Sequence, residues 1–190
     1  MPNLYIISGC NGAGKTTASY TVLPEMLSCK EFVNADEIAR GLSPFNAGHV
    51  AIEAGKVMLT RIKGLMEEGV DFAFETTLAA RFYVSFVKQA QQRGYVVSLV
   101  YFWLSSPELA IGRVAARVAA GGHNIDEATI RARYAGGLHN LFRLYMGVVD
   151  YWVLVDNSRP PFKVIAEKEK DKVLHIVDLP LYNNIAEAYE

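Results

Sequence analysis

The chain has 190 residues and a formal net charge of −1, from 19 Lys and Arg against 20 Asp and Glu. Its 51% of hydrophobic and 21% of charged residues are close to globular averages, which excludes a disordered chain. We therefore expect one folded domain over residues 1–190, without a global basic field that would attract nucleic acid or anionic lipid.

The sequence also indicates where the protein works. No apolar run reaches the roughly 20 residues that a membrane-spanning helix needs, and Met1–Asn3 lacks the positive region of a secretory signal. The two cysteines, Cys10 and Cys29, form no disulfide framework and suit a reducing compartment. We expect a cytoplasmic protein.

Short apolar runs alternate with helical patterns along the first half of the chain. Strands are predicted at Leu4–Ile7, Phe32–Val33 and Val70–Phe74. Helices are predicted at Lys15–Leu23, ended by Pro24, at 47–68, ended by Gly69, and at 81–93, ended by Gly94.

The second half continues the alternation. Tyr95–Trp103 is nearly all apolar, as in a strand that is covered on both faces. Helices are predicted from the N-cap Ser106 and Pro107 to Ala120, ended by Gly121–Gly122, and over 126–146, with a possible break at Gly136–Gly137. Strands are predicted at Trp152–Val155 and Val173–Val177, and the charged Glu167–Lys172 is predicted to be a solvated turn. This order predicts an α/β/α sandwich in three layers, with a central parallel sheet of about five strands.

The segment Gly9–Thr16 fits the pattern G-x-x-x-x-G-K-[ST] and lies between a predicted strand and a predicted helix. Glycines let consecutive N–H groups curl around a phosphate, and the helix N-terminus adds partial positive charge. Lys15 would reach the β- and γ-phosphates, and the Thr16 hydroxyl would ligate Mg²⁺. The predicted nucleotide contacts are Gly9, Cys10, Asn11, Gly12, Ala13, Gly14, Lys15, Thr16 and Thr17.

Carboxylates follow two further strands at the edge of the sheet where ligands bind. Asp36 can accept a proton from a substrate hydroxyl or hold the Mg²⁺ shell, or it can simply cap a short helix. Glu75, Thr76 and Thr77 can hold the hydroxyls of an acceptor, or Glu75 can support the metal through water. These four side chains are the predicted acceptor site.

Arginines on the two later helices suit a lid over residues 113–135. Arg113 and Arg117 are four residues apart and share a helix face. Arg131 and Arg133 lie on nearly opposite sides of the next helix, so one of them is expected to reach the phosphates. Guanidinium groups bind phosphate oxygens in a bidentate manner and stay charged.

Three more predictions concern residues around the nucleotide. His123, between the lid helices, is expected to act as a hinge or a substrate contact. Asn157 and Ser158 follow a late strand and are expected to contact adenine, with Arg113 stacked on the ring. Cys10 is expected to have a lowered pKa, because it lies at a helix N-terminus.

The phosphate-binding loop alone is compatible with several classes of protein. An N/T-K-x-D guanine motif and an apolar run ending in Asp-Glu are both absent from the sequence, which argues against a GTPase and a motor ATPase. A kinase of small molecules fits better. A nucleoside kinase and a nucleotide-dependent binding module with weak ATPase activity stay as alternatives.

The motifs G-x-N-G-A-G-K-T-T, V-N-A-D-E-I-A, G-L-S-P-F, F-E-T-T-L, R-V-x-x-R-V-x-x-G-G-H-N-I and I-R-A-R-Y over residues 3–160 resemble the zeta-toxin-like P-loop kinases. The resemblance implies an adenylate-kinase-like fold and transfer of phosphate from ATP to the sugar 3′-hydroxyl of UDP-N-acetylglucosamine. It also implies a cognate antitoxin as a partner.

The resemblance assigns roles to individual residues. Asp36 would be the general base, and Glu75 with Thr76 would contact substrate. Arg117 and either Arg131 or Arg133 would clamp the phosphates.

Overall fold

The computed structural model describes residues 1–122 and 124–189, and its strands lie in one sheet. They are β1 (Asn3–Ser8), β2 (Glu31–Val33), β3 (Phe72–Thr76), β4 (Val96–Trp103), β5 (Tyr151–Asp156), β6 (Lys163–Glu169) and β7 (His175–Ile176). Their order is β2-β3-β1-β4-β5-β6-β7. The first five pair in parallel, whereas β6 and β7 are antiparallel. The α/β class is confirmed, but the sheet has seven strands instead of about five.

Helices cover the sheet and connect its strands. They are α1 (Lys15–Thr21), α2 (Ala35–Leu42), α3 (Ala51–Glu68), α4 (Tyr83–Gln92), α5 (Pro107–Ala119), α6 (Glu127–Asn140) and α7 (Leu179–Tyr189). A 3₁₀ turn, Ala47–Val50, precedes α3, and the π-helical turns Val22–Met26 and Leu141–Tyr145 follow α1 and α6. Within the two described ranges, no helix has both the length and the apolarity to cross a bilayer.

Several helix ends lie where glycines and capping residues in the sequence predicted them. Gly69 and Gly94 have φ angles of 69° and 84° after α3 and α4, the left-handed conformation that glycine adopts easily. The Ser106 hydroxyl accepts a hydrogen bond from the Leu109 N–H at 3.1 Å and caps α5. Two predicted breaks are wrong, because Pro24 lies inside a π-helical turn that continues α1, and Gly136–Gly137 lie inside α6.

The far side of the sheet differs most from the prediction. Lys163–Glu169 forms β6 against β5, so Glu167 belongs to a strand and only residues 170–172 form the predicted turn. The strand expected at Val173–Val177 shrinks to His175–Ile176. The helix α7 was not predicted, and α2 was considered only as a short helix that Asp36 could cap. A strand that is buried only at its centre, at Ile165 and Ala166, carries too weak an apolar signal to be distinguished from a turn.

The parallel half of the sheet positions the candidate site. β1 and β3 run in register from Leu4 beside Phe72 to Ser8 beside Thr76. The consecutive residues Phe72–Phe74 are all fully buried, so both faces of β3 are covered. Because parallel strands end at the same edge, the segments that follow β1, β2 and β3 meet there.

Candidate active site

The glycine-rich loop has the predicted conformation. Gly9, Gly12 and Gly14 have positive φ angles of 138°, 78° and 82°, which curl the loop toward the start of α1. Lys15, only 6% exposed, donates a hydrogen bond from Nζ to the carbonyl of Cys10 at 2.9 Å. Its ammonium is therefore held inside the loop, where a phosphate would bind.

The loop after β5 supports the glycine-rich loop from one side. Asn157 Nδ2 donates to the Ala13 carbonyl at 2.7 Å, and a Cβ on Gly14 would lie 2.6 Å from the same nitrogen. Arg113 donates to the Ser158 carbonyl at 2.9 Å. Asn157, Ser158 and Arg113 thus come together as predicted, and their contact with adenine stays a prediction.

Glu75, at the end of β3, connects the glycine-rich loop to its neighbours. Its Oε2 accepts hydrogen bonds from the Thr16 hydroxyl at 2.7 Å and from Asn34 Nδ2 at 2.8 Å. Its Oε1 lies 3.4 Å from Lys15 Nζ, in an ion pair whose side chains are 6% and 10% exposed. Of the two roles predicted for Glu75, this arrangement favours support of a metal over contact with an acceptor hydroxyl.

These oxygens suit Mg²⁺. The Thr16 hydroxyl and the Glu75 carboxylate are hard oxygen donors that already lie within hydrogen-bond distance of each other. Mg²⁺ keeps several waters and typically takes one or two protein oxygens together with phosphate oxygens. Thr16, with Glu75 directly or through water, would hold the ion.

Sequence reasoning missed Asn34. This side chain is 6% exposed, and its Oδ1 accepts hydrogen bonds from the N–H groups of Asp36 at 2.8 Å and Glu37 at 3.4 Å. It is therefore the N-cap of α2 and simultaneously a donor to Glu75. An Asn directly before a short helix was the available signal, but its second contact depends on the meeting of β2 and β3.

Asp36 lies in the first turn of α2 and does not cap it, because Asn34 does. Its side chain is exposed and lines both pockets described below. The alternative that Asp36 only caps a helix is therefore wrong.

Two pockets meet at these residues. One, of about 600 Å³, includes the glycine-rich loop, Thr16, Thr17, Arg113 and Arg117. The other, of about 250 Å³, includes Thr76, Thr77, Tyr83 and Arg133. Both are lined by Asn11, Lys15, Asp36 and Glu75.

A more spacious groove lies elsewhere. It has about 750 Å³ and runs between α1, β2 and α3, lined by residues that include Tyr20, Phe32 and Val57. The glycine-rich loop does not line it. In the pocket of about 600 Å³, by contrast, backbone N–H groups of the loop and Lys15 are available for phosphates, and we refer to it as the nucleotide pocket.

The arginines divide into two groups. Arg113 and Arg117 line the pocket of the glycine-rich loop, and Arg133 donates from a terminal guanidinium nitrogen to Asn11 Oδ1 at 3.1 Å beside the smaller pocket. Arg131 does not reach either pocket, because its exposed side chain forms an ion pair with Glu108 at 2.6 Å on the outer surface. Of the two alternatives on α6, the structure brings Arg133 to the site.

Two other predictions have different outcomes. The lowered pKa expected for Cys10 is wrong: burial raises the pKa of this thiol to about 11, although Lys15 opposes the shift. Desolvation outweighs the favourable field of the helix N-terminus here. His123 lies outside the described residues.

The fold and the site together define a class. The first strand of the parallel part of the sheet enters a glycine-rich loop, and Lys15 and Thr16 stand at the start of the helix that follows. Carboxylates lie at the ends of the adjacent strands. These features define a nucleotide-binding protein of the P-loop kinase fold.

Comparison with known proteins specifies the family. The chain matches the Zeta toxin family model over residues 1–157 and belongs to that family. An uncharacterized protein of Haemophilus influenzae strain Rd is 29% identical to it over 126 residues. The aligned region covers 66% of this chain and 88% of that protein.

Solved structures share the fold. The crystal structure of AvrRxo1-ORF1:-ORF2 with ATP contains a chain that matches all of this protein with a TM-score of 0.83 and 15% identity. This protein spans 65% of the length of that chain. A chain in a structure of the PezAT chromosomal toxin-antitoxin system of Streptococcus pneumoniae also matches, with a TM-score of 0.69 and 14% identity. The match covers all of this protein and 78% of that chain.

Proposed function

We propose that this protein is a kinase that transfers the γ-phosphoryl group of ATP to a hydroxyl of a small metabolite, with Mg²⁺ as cofactor. One observation carries the proposal: the nucleotide pocket and the smaller pocket are both lined by Lys15, Asp36 and Glu75. A donor phosphate in the first pocket and an acceptor hydroxyl in the second would meet beside a cation and a potential base, which phosphoryl transfer requires.

The side chains suggest the course of the reaction. The Asp36 carboxylate would take the proton of the acceptor hydroxyl, whose oxygen bonds to the γ-phosphorus as the bond from phosphorus to the β–γ bridging oxygen breaks. ADP leaves. Lys15, Arg117 and Arg133 would neutralise charge on the migrating group. When bound, Mg²⁺ supplies electrostatic stabilisation of the phosphate oxygens.

Membership of the zeta toxin family makes a UDP-N-acetylsugar the first acceptor to test. Thr76 and Thr77 at the smaller pocket offer hydroxyls that suit hydrogen bonding to a sugar. The related folds in toxin-antitoxin and AvrRxo1 complexes support a second protein, such as a cognate antitoxin, as a partner. Two unpaired, buried thiols agree with a cytoplasmic location.

The direct test is ADP release from ATP and Mg²⁺ by purified protein across a panel of acceptors, beginning with UDP-N-acetylglucosamine and continuing with other sugar nucleotides and nucleosides. Lys15→Ala serves as the blank, because it removes the cation that both pockets share. We expect ADP release by the wild type that depends on one class of acceptor, and none above background by Lys15→Ala. Tight ATP binding without stimulation by any acceptor would contradict the kinase and favour the nucleotide-dependent binding module.

A further inference from the structure

The segment that follows β3 has an unusual backbone. Thr76 and Thr77 line the smaller pocket, and the next residue, Leu78, has a φ of 61° although it is not glycine. This conformation is unfavourable for a branched side chain and persists only where the surroundings enforce it. Leu78 is fully buried, so its side chain is one such constraint.

Buried polar groups on α6 and the turn after it provide the other constraints. Asn140 Nδ2 donates to the carbonyls of both Leu78 and Ala79 at 2.9 Å. The Tyr145 hydroxyl donates to the carbonyl of Ala80 at 2.7 Å, and burial raises the pKa of Tyr145, which keeps that donor protonated. Three consecutive carbonyls are thereby held by two side chains from one helical segment.

One turn earlier, α6 also packs closely against the segment that follows β3. A Cβ on Gly137 would lie 2.5 Å from the carbonyl oxygen of Thr77, so only glycine allows the helix to approach this far. In contrast, a Cβ on Gly136 would meet nothing nearer than 3.7 Å. Every residue from 77 to 80 is therefore in contact with α6 or with the π-helical turn that follows it.

The same helix also reaches the nucleotide side of the site. Arg133 lies two turns before Asn140 and contacts Asn11 of the glycine-rich loop. Tyr134 donates from its hydroxyl to the Leu104 carbonyl at 2.6 Å, which ties α6 to the end of β4. One rigid element thus touches the phosphate-binding loop at one end and the acceptor segment at the other.

We infer that Asn140 is a positioning residue, which holds the backbone of residues 77–80 so that Thr76 and Thr77 present their hydroxyls to the acceptor in register with Arg133. This inference rests on the proposed kinase activity. It adds a residue that does not line either pocket and a route by which α6 aligns acceptor and donor.

The test compares Asn140→Ala with Gln91→Ala in the full-length protein. Gln91 is a matched control, since its amide also donates to a backbone carbonyl, that of Val148 at 2.8 Å, and to Asp150. Four quantities are measured: ATP dissociation constant, acceptor KM, kcat, and the ratio of phosphoryl transfer to ATP hydrolysis by water. We expect Asn140→Ala to raise acceptor KM and lower the transfer ratio by about tenfold or more, because small misplacements in a reacting pair are costly.

The ATP dissociation constant of Asn140→Ala is expected to stay within about twofold of the wild type, and Gln91→Ala to leave all four quantities close to it. Equal losses in both variants, or a loss of ATP affinity in Asn140→Ala, would show a merely structural role and overturn the inference. Unchanged acceptor KM and transfer ratio in a folded Asn140→Ala would also overturn it. If the wild type transfers phosphate to no acceptor, the proposed function fails first and this inference fails with it.

Asn140→Asp provides a second readout, because it keeps the shape of the side chain and removes both N–H donors. A carboxyl between two carbonyls has a raised pKa, and its protonated form can donate one hydrogen bond. We expect its acceptor KM, relative to the wild type at each pH, to fall as pH falls. A ratio that is independent of pH would contradict the role of the donated hydrogen bonds.

Discussion

The phosphate-binding half of the site and the arginine half are organised differently. Around the glycine-rich loop, Lys15, Asn34 and Glu75 are nearly buried and hydrogen-bonded to one another or to backbone. The arginines on α5 and α6 are half-buried or exposed, and Arg131 and Arg133 have polar protein partners. The first half is preorganised, whereas the arginines of the second would have to give up protein contacts in order to bind phosphate oxygens.

Beyond loss of Lys15, the largest effect of a single substitution beside the glycine-rich loop is expected at Asp36. Asp36→Asn keeps the shape and the helix start but cannot accept a proton, so we expect ATP affinity close to that of the wild type and a loss of transfer of about 10²–10⁴-fold. ATP titration and the acceptor-dependent ADP assay measure the two quantities. Full transfer activity in the variant would show that another group takes the proton.

In the arginine half, two arginines of α6 are expected to differ in their effect on kcat. Arg133→Ala is expected to lower kcat about 100-fold, because a positioned charge at the migrating group is lost. Arg131→Ala removes only an exposed ion pair with Glu108 and should leave kcat within about threefold. Steady-state kinetics of both variants decide this, and an equal loss in both would mean that lid closure brings Arg131 inward.

A smaller effect, on the stability of the fold, is expected at Asn34, an uncharged side chain of the preorganised half. Asn34→Ala removes the cap of α2 and one hydrogen bond to Glu75, which we expect to lower the free energy of unfolding by about 1–2 kcal/mol. Urea denaturation measures this loss. Asn46, which precedes the 3₁₀ turn without a side-chain cap, is the control position, and a comparable loss in Asn46→Ala would contradict the argument.

The smallest change concerns Cys10, inside the same loop. Burial raises the pKa of its thiol to about 11, so the reactive thiolate is scarce at pH 8 and increases as pH rises toward that value. We expect slow alkylation of the native protein at pH 8 and a rate that still increases above pH 9. Mass spectrometry after timed alkylation reports it, with urea-unfolded protein as the reference. A rate that levels off below pH 8 would mean a lowered pKa.

The sequence predicted the phosphate-binding half well, because its chemistry is local. The spacing of Gly9, Gly14 and Lys15 fixes the loop, and the ends of β2 and β3 follow from short apolar runs. Contacts between distant segments escaped prediction: Asn34 meets Glu75 across 41 positions, and Asn140 meets Leu78 across 62. Such pairs depend on strand order and helix packing, which no local pattern encodes.

The strand β6, at the far side of the sheet, shows the same limit in the fold. β6 carries charged residues at both ends and is buried only near Ile165 and Ala166, so its composition resembles that of a turn. Cys10 illustrates the limit for electrostatics, since the helix N-terminus is visible in the sequence but the burial that outweighs it is not.

The edges of the sheet have a consequence for self-association. The outermost strands, β2 and β7, have three and two residues, whereas β4 in the interior has eight. An outer strand offers unpaired N–H and C=O groups along its free side, and a long one is a template on which a second chain can extend the sheet. The long apolar run Val96–Trp103 is enclosed between β1 and β5, so its backbone groups are already paired and do not offer a second chain such a template.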